Sequence, residues 1–291
     1  MIGFPFGSST LMTYYRADIM EQYGFPAEPE EFARFMEVPE NWLAVARALK
    51  KDGRYLAQWA TEIIALYDST QGVFDENVDF LRNNETYLKA IQFVKQINEE
   101  GLVSLTDVWT ESGAQMVRDG NLAMLHLGTW GADQIKLWAP DTAGLWRATR
   151  LPFNLYGWAN SASFMIPSAS DQKDWAWEFV KYVSTEWTMK GLSNTVPAYI
   201  PARANEQKLA ETDEFFGGQQ MYALQLQLTK KMKEHKLTPL NQRAKALWSQ
   251  TINMGIERKK APETIVQDAE LAIRTEMGKE IDILKSLLPK E

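Results

Sequence analysis

Eleven tryptophans in a chain of 291 residues are the feature with the plainest chemical consequence. An indole is a flat, electron-rich surface. A sugar ring offers a weakly positive C–H face that such a surface covers, burying apolar area and using the ring quadrupole. Polar side chains around the ring pair the hydroxyls, and each polar group left unpaired in such a site costs ~1–3 kcal/mol, which is the source of specificity. Trp130 follows a short apolar run and Gly128 at a strand-to-helix turn, where α/β proteins place ligand residues; the alternative is a core Trp at a sheet edge. Trp59, Glu62 and Asp68 lie in a stretch that also holds Tyr55 and Tyr67, where a turn would present ring and carboxylate together; the alternative is a buried aromatic cluster with solvated acids. Trp109 and Glu111 lie in a polar loop after Gly101, and an exposed loop Trp usually serves binding.

Carboxylates suggest a second chemistry. Two of them ~5 Å or ~6.5–9.5 Å apart make a glycoside hydrolase, and Glu62 with Asp68, or Glu111 with Asp107, are pairs of that kind. With 38 acidic residues in the chain, such pairs arise without purpose. Other chemistries lack their residues. There is no Cys, only His126 and His235 as imidazoles, and no HExxH, GxxxxGK[ST] or GxGxxG, so neither a metal nor a cofactor is expected. A net charge of −7 disfavours phosphate backbones and anionic lipid surfaces, so no nucleic-acid partner is expected. No apolar run approaches the ~18 residues of a membrane span, and the opening Met1-Ile-Gly-Phe-Pro-Phe6 has no signal-peptide pattern.

The elements that must position these residues read as helices with short strands between them. Residues 41–52 carry Trp42, Val45, Ala46 and Leu49 on one face, stopped by Gly53; residues 86–100 carry Leu88, Ile91, Val94 and Ile97, stopped by Gly101. Residues 172–184 place Ala176, Phe179, Val180 and Val183 together, and residues 262–276 open on Pro262 and carry Ile265, Ala269, Ala272 and Ile273. Residues 122–127, 146–151 and 163–166 read as strands. Strand and helix in succession imply α/β layers.

Six segments, in order, resemble one family. Tyr14-Tyr-Arg-Ala-Asp-Ile-Met-Glu-Gln-Tyr-Gly-Phe-Pro26 is similar to a YYNKDLFEKAGLP stretch, and Asn41-Trp42 stands where Thr-Trp opens a helix. Gly120-Asn-Leu-Ala-Met-Leu-His-Leu-Gly-Thr-Trp130 resembles GKAAM…G-x-W, and Leu151-Pro152 a strand-ending Leu-Pro. Asp174-Trp-Ala-Trp-Glu-Phe-Val-Lys-Tyr182 resembles AAWEFIKF, and Ile200-Pro-Ala-Arg203 a Leu-Pro-Ala-Arg turn. The family is the family 1 extracellular solute-binding proteins, sugar-receptor subunits of ABC importers.

The resemblance implies an α/β, type II periplasmic-binding-protein-like fold of two lobes that close on a carbohydrate about a hinge. It implies delivery to ABC permease subunits in the membrane, no enzymatic activity, and an extracytoplasmic location, periplasmic or lipid-anchored. It places 6–152 and 197–285 in the second lobe and 153–196 in a return segment of the first. By the same resemblance Trp130 stacks on sugar and Trp248, on a late helix, faces the cleft. Trp158 stands in the 156–160 loop where the lobes cross, Tyr199 precedes the Pro-Ala-Arg turn and faces the cleft, and Arg203 fixes the hinge. Trp42, Trp146 and Trp177 are expected to pack. The portion that builds most of the family's first lobe has no match here. An incomplete coding sequence, a partner chain that supplies that lobe, and a rearranged fold all stay open.

Overall fold

The computed structural model describes residues 3–191, 195–234 and 237–288; His235 lies outside them. In chain order the elements are β1 (Gly3–Thr10), β2 (Met12–Arg16), α1 (Ala17–Gln22), α2 (Pro29–Phe35), α3 (Pro39–Lys50), α4 (Glu62–Asp68), α5 (Glu85–Glu99), α6 (Glu111–Arg118), β3 (Met124–Leu127) and α7 (Gly131–Trp138). There follow β4 (Trp146–Thr149), β5 (Trp158–Met165), α8 (Lys173–Tyr182), a π-turn (Val183–Trp187), β6 (Val196–Pro197), a 3₁₀ turn (Ile200–Ala204), α9 (Glu206–Ala210), α10 (Met221–Lys231), α11 (Asn241–Glu257) and α12 (Pro262–Ser286). The chain packs as two units, Met1–Leu56 with Thr106–Met232, and Ala57–Leu105 with Lys233–Glu291.

The first unit contains two antiparallel three-stranded sheets. In one the order is β3-β2-β4, with Met12 opposite Leu127 and Thr13 opposite Thr149. All five residues of β2, Met-Thr-Tyr-Tyr-Arg, are buried, as a central strand rich in β-formers requires. Around it pack Val117, Leu125, Ile135, Trp138, Trp146 and Phe216. The second sheet has the order β5-β1-β6. Its β1 pairs Phe4 with Phe164 and Thr10 with Trp158, and the Gly- and Pro-punctuated β1 carries irregularities between Pro5 and Gly7 and between Ser9 and Thr10. Neither β1 nor β2 was expected from the sequence. The helix expected over 41–52 is α3, opened by Pro39, with Trp42, Val45, Ala46 and Leu49 all buried.

The second unit packs four helices, α4, α5, α11 and α12. Asn84 caps α5 by accepting the Tyr87 N–H at 3.2 Å, and Ile91, Val94 and Ile97 are buried as the period implied. Pro262 opens α12, whose Ile265, Ala269 and Ile273 face inward; that helix runs well past residue 276. Gly255 lets α11 approach α12 closely, because a Cβ there would lie 2.6 Å from Ile265 Cγ1. Asn241 ties the start of α11 to the 71–83 loop by accepting the Val73 N–H at 2.7 Å.

One helix departs from its pattern. α8 and the π-turn after it carry Ala176, Phe179, Val180 and Val183 on one face, and with no first-lobe sheet to sit on, Phe179 and Val183 are expected to face water unless something covers them. Val180 is the one residue of the ten in α8 that is buried, and Phe179 is 59% exposed. Trp177, expected to pack, is also exposed. The amphipathic period is real, but that face is covered only in part: Val180 is buried and Phe179 touches Phe164 of β5 edge-on at 6.2 Å.

Candidate functional site

In the first unit the chemistry gathers at the end of β3. Gly128, Thr129 and Trp130 form the turn into α7, and each is held. Tyr14 donates its hydroxyl to the Gly128 carbonyl at 3.0 Å. The Thr129 N–H donates to Ser9 Oγ at 2.7 Å, and the two hydroxyls lie 3.0 Å apart. Gly128 is required for close approach, since a Cβ there would overlap the Trp130 indole nitrogen. That nitrogen is buried without an acceptor among the described residues, so the indole turns its polar edge inward. Its ring is half-buried.

Trp109 meets that ring from the 106–110 loop, 58% exposed. Its centroid lies 5.8 Å from that of Trp130 at 37°, and 5.0 Å from that of Trp138 at 69°. The loop is fixed by Asp107, which accepts the Trp109 N–H at 3.0 Å, and by Thr110, which caps α6. Gly113 makes room for it, since a Cβ there would overlap the Asp107 carbonyl. Glu111, the first residue of α6, is exposed beside this loop. The result is a three-indole cluster with one open ring and a carboxylate close by in sequence. Sequence reasoning named Trp109, Trp130 and Glu111 but gave Trp138 no role. Its signal was the spacing, since Trp130 and Trp138 stand about two helical turns apart. Trp158, half-buried on β5, and Tyr199, 39% exposed before the 3₁₀ turn, make no ring contact with this cluster among the described residues. Arg203 donates its Nε–H to the Pro197 carbonyl at 2.8 Å, pinning β6 to the turn.

The second unit places its candidates differently. Trp59 is 41% exposed in the turn before α4, and its carbonyl accepts the Glu62 N–H. Glu62 accepts from the Gln58 side chain at 2.8 Å, and burial pushes its carboxyl up to about 7. A cavity of about 190 Å³ between α4 and α11 is lined by Thr61, Glu62, Asp68, Ser249 and Asn253 over Ile64, Ala65 and Ile252. Ser249 and Asn253 were missed, because an isolated hydroxyl or amide on a helix carries no pattern until a partner helix is known.

Asp68 and Trp248 were expected to face a ligand. The structure instead commits both to the interior of this unit. Asp68 pairs with Arg82 at 3.0 Å, and the two side chains are 3% and 1% exposed. Tyr87 donates its hydroxyl to Asp68 at 3.3 Å. Trp248 is 0% exposed, with the Arg82 guanidinium 5.0 Å over its ring, Tyr87 edge-on at 5.3 Å and Phe80 at 5.9 Å. A buried cation needs a carboxylate and is further stabilised by a π-face. Trp248 and Asp68 supply both; Trp248 is fully enclosed, and Asp68 keeps only a small edge on the α4–α11 cavity.

Comparisons with known proteins agree with this architecture. The model of the bacterial extracellular solute-binding protein family matches residues 1–215. A curated relative, the lactose-binding protein of Rhizobium radiobacter, is 26% identical over 239 residues, covering 76% of this chain and 55% of its own length. Among solved structures, an ABC-transporter-associated binding protein of B. animalis subsp. lactis, in complex with β-1,6-galactobiose, superposes with a TM-score of 0.76 at 16% identity, over 96% of this chain and 73% of that one. The galacto-N-biose/lacto-N-biose I-binding protein of Bifidobacterium longum, in complex with lacto-N-biose, gives 0.71 at 19%, over 96% and 71%. The fold is therefore that of the periplasmic solute-binding proteins, as the six segments implied. The chain spans little more than half the length of the curated relative it matches.

Proposed function

This chain belongs to the bacterial extracellular solute-binding proteins, and from that premise we propose that it is an extracytoplasmic receptor for a galactose-containing disaccharide or short oligosaccharide. The observation that carries the reading is the Trp109–Trp130–Trp138 cluster. It is an indole platform locked by hydrogen bonds to its turn, with one ring left open to solvent. Stacking on it supplies apolar burial. Glu111, exposed beside the same loop, supplies an acceptor for hydroxyls. Galactose is named because a curated relative and two solved neighbours are described with lactose, β-1,6-galactobiose and lacto-N-biose, each a β-galactoside; other neighbours are described with α-D-tagatose, cycloalternan and maltose. As in the family, the bound sugar would be handed to an ABC permease. No helix among the described residues is long and apolar enough to cross a membrane.

Residues 153–196 are assigned to the return segment of a first lobe, which the exposure of α8 supports. Hydrolysis is disfavoured by a specific observation. Of the candidate acid pair Glu62 and Asp68, the second is committed to a buried ion pair with Arg82 at 3.0 Å.

The test is a titration with lactose, β-1,6-galactobiose and lacto-N-biose, followed by tryptophan fluorescence. A saturable shift stable for hours is expected, and Trp130→Ala should weaken binding by ~1 kcal/mol or more. A shift that decays as sugar is consumed would show an enzyme. Unchanged affinity in the variant would remove the platform from the site.

A further inference from the structure

Among the described residues, five other than glycine hold a positive φ: Val78, Leu105, Phe153, Asn154 and Lys259. An L side chain in that region is strained, and for a bulky residue the conformation is a true outlier. Four of the five show what offsets the strain. Asn154 is of a type that tolerates the left-handed region. Lys259 lies two residues past α11, where the Lys260 N–H reaches the Gly255 carbonyl at 3.0 Å and closes the helix, a position that takes this conformation routinely. Val78 and Phe153 gain burial: Val78 is 3% exposed and Phe153 is half-buried. Leu105, at φ 54°, has none of these, and its side chain is 66% exposed.

The backbone around Leu105 is fixed. The Ser104 and Leu105 N–H groups donate to the Ala57 and Gln58 carbonyls at 3.1 and 2.9 Å. Gln58 is held in turn, since its side-chain amide donates to Glu62 at 2.8 Å. All of these residues belong to the second unit. The strap they form leaves two large apolar side chains in the open, Leu105 and Trp59, the residue after Gln58. It then runs through Thr61 and Glu62, which wall the α4–α11 cavity together with Ser249 and Asn253. Single exposed apolar residues are ordinary. One held out in a conformation that its surroundings enforce, and that its own burial does not offset, is where backbone strain serves function.

We infer that Leu105 is a ligand-contact residue of the second unit, held out to cover the C–H face of a sugar ring whose hydroxyls are paired at the polar cavity that the same strap walls. An aliphatic side chain cannot pair a hydroxyl, so it selects the bare C–H face, and the area covered there is removed from water. The cavity decides the class of ligand. Its carboxylate, hydroxyls and amide satisfy a polyhydroxylated molecule, whereas an apolar partner would leave them unpaired. Leu105 and Trp59 alone are also a small patch beside the several hundred Å² of a protein-binding surface. The inference deepens the receptor reading and rests on it.

The test is calorimetric titration of lactose, β-1,6-galactobiose and lacto-N-biose into the full chain and its variants. Leu105→Gly removes the side chain and relieves the strain. Its sugar affinity should fall at least threefold while its melting temperature holds or rises. Leu105→Asn tolerates the same backbone and offers no apolar face, so it should lose affinity as the glycine variant does. Leu105→Met keeps an apolar side chain and should stay within about twofold of the parent. Parent-like affinity in Leu105→Gly or Leu105→Asn overturns the inference. So does a lower melting temperature in Leu105→Gly with affinity lost in step, because the leucine would then be a packing residue. A parent chain that binds none of the three sugars sinks the receptor reading and this inference with it; binding by the parent that Leu105→Gly retains in full sinks this inference alone.

Discussion

The two units use the same residue type in opposite ways. In the first, Trp109 and Trp130 lean on one another at a turn held by Tyr14, Ser9 and two close-packed glycines, and one ring stays open. In the second, Trp248 is shut beneath Arg82, Tyr87 and Phe80. The difference lies in the neighbours. A ring next to rigid backbone and other rings can afford a free face, because no charge demands it. A ring next to a buried guanidinium is consumed in screening that charge, along with the carboxylate that neutralises it. Titratable groups divide in the same way. The first unit buries a base, His126, whose pKa falls to about 4. The second buries an acid, Glu62, whose pKa rises to about 7. Burial disfavours the charged form in both cases.

The largest effect that would break this comparison is on stability. Trp248→Ala removes a fully buried indole and uncovers Arg82, so it should destabilise the second unit by ~3–5 kcal/mol. Amide exchange in α5 and α11 would register it, while exchange in β2 and β3 stays unchanged. Trp109→Ala should leave both regions protected. If Trp248→Ala proved stable and lost sugar affinity instead, the indole would belong to a ligand site, and the contrast between the units would collapse.

Acid and base should separate the units next. His126 has a folded pKa near 4 against an ordinary 6.5. Its contribution is therefore present above pH 6.5 and lost as pH falls through about 4. Glu62 has a folded pKa near 7 against an ordinary 4.5. Its contribution is present below pH 4.5 and lost as pH rises through about 7. Each is worth ~1–3 kcal/mol across its window. Exchange protection in β2 and β3, corrected for intrinsic rates, should weaken toward acid. Protection in α4 should weaken toward neutrality. His126→Asn should flatten the first trend and Glu62→Gln the second. Two trends of the same sign would show that burial does not govern these groups.

How much of this was legible beforehand follows from how local each signal is. The inward faces of α3 and α5 lie within one helix, so the 3.6-residue period gave Trp42, Val45, Ile91 and Val94 directly. Trp130 was legible because an apolar run and a glycine precede it in the chain. The fate of Trp248 was not, because Phe80, Arg82 and Tyr87 lie far away in sequence and nothing near residue 248 announces them. β1 escaped notice because its glycines, proline and serines read as loop; its pairing with β5 supplies the order that its composition does not. The period of α8 was legible, and so was the exposure of Phe179, since a period shows that a face is apolar but not that anything covers it.

The smallest effect sharpens the first unit alone. Within the indole cluster, Trp138 is 9% exposed and Trp109 is 58% exposed, so one supports and the other is able to touch a ligand. Trp109→Ala should cost ~0.5–1.5 kcal/mol of sugar affinity, the scale of one lost ring contact, with thermal stability little changed. Trp138→Phe keeps a ring under Trp109 and should retain most of the affinity. If Trp138→Phe were the more damaging of the two, the open ring would be a bystander. The platform would then act through the packing of α7 and not through its exposed face.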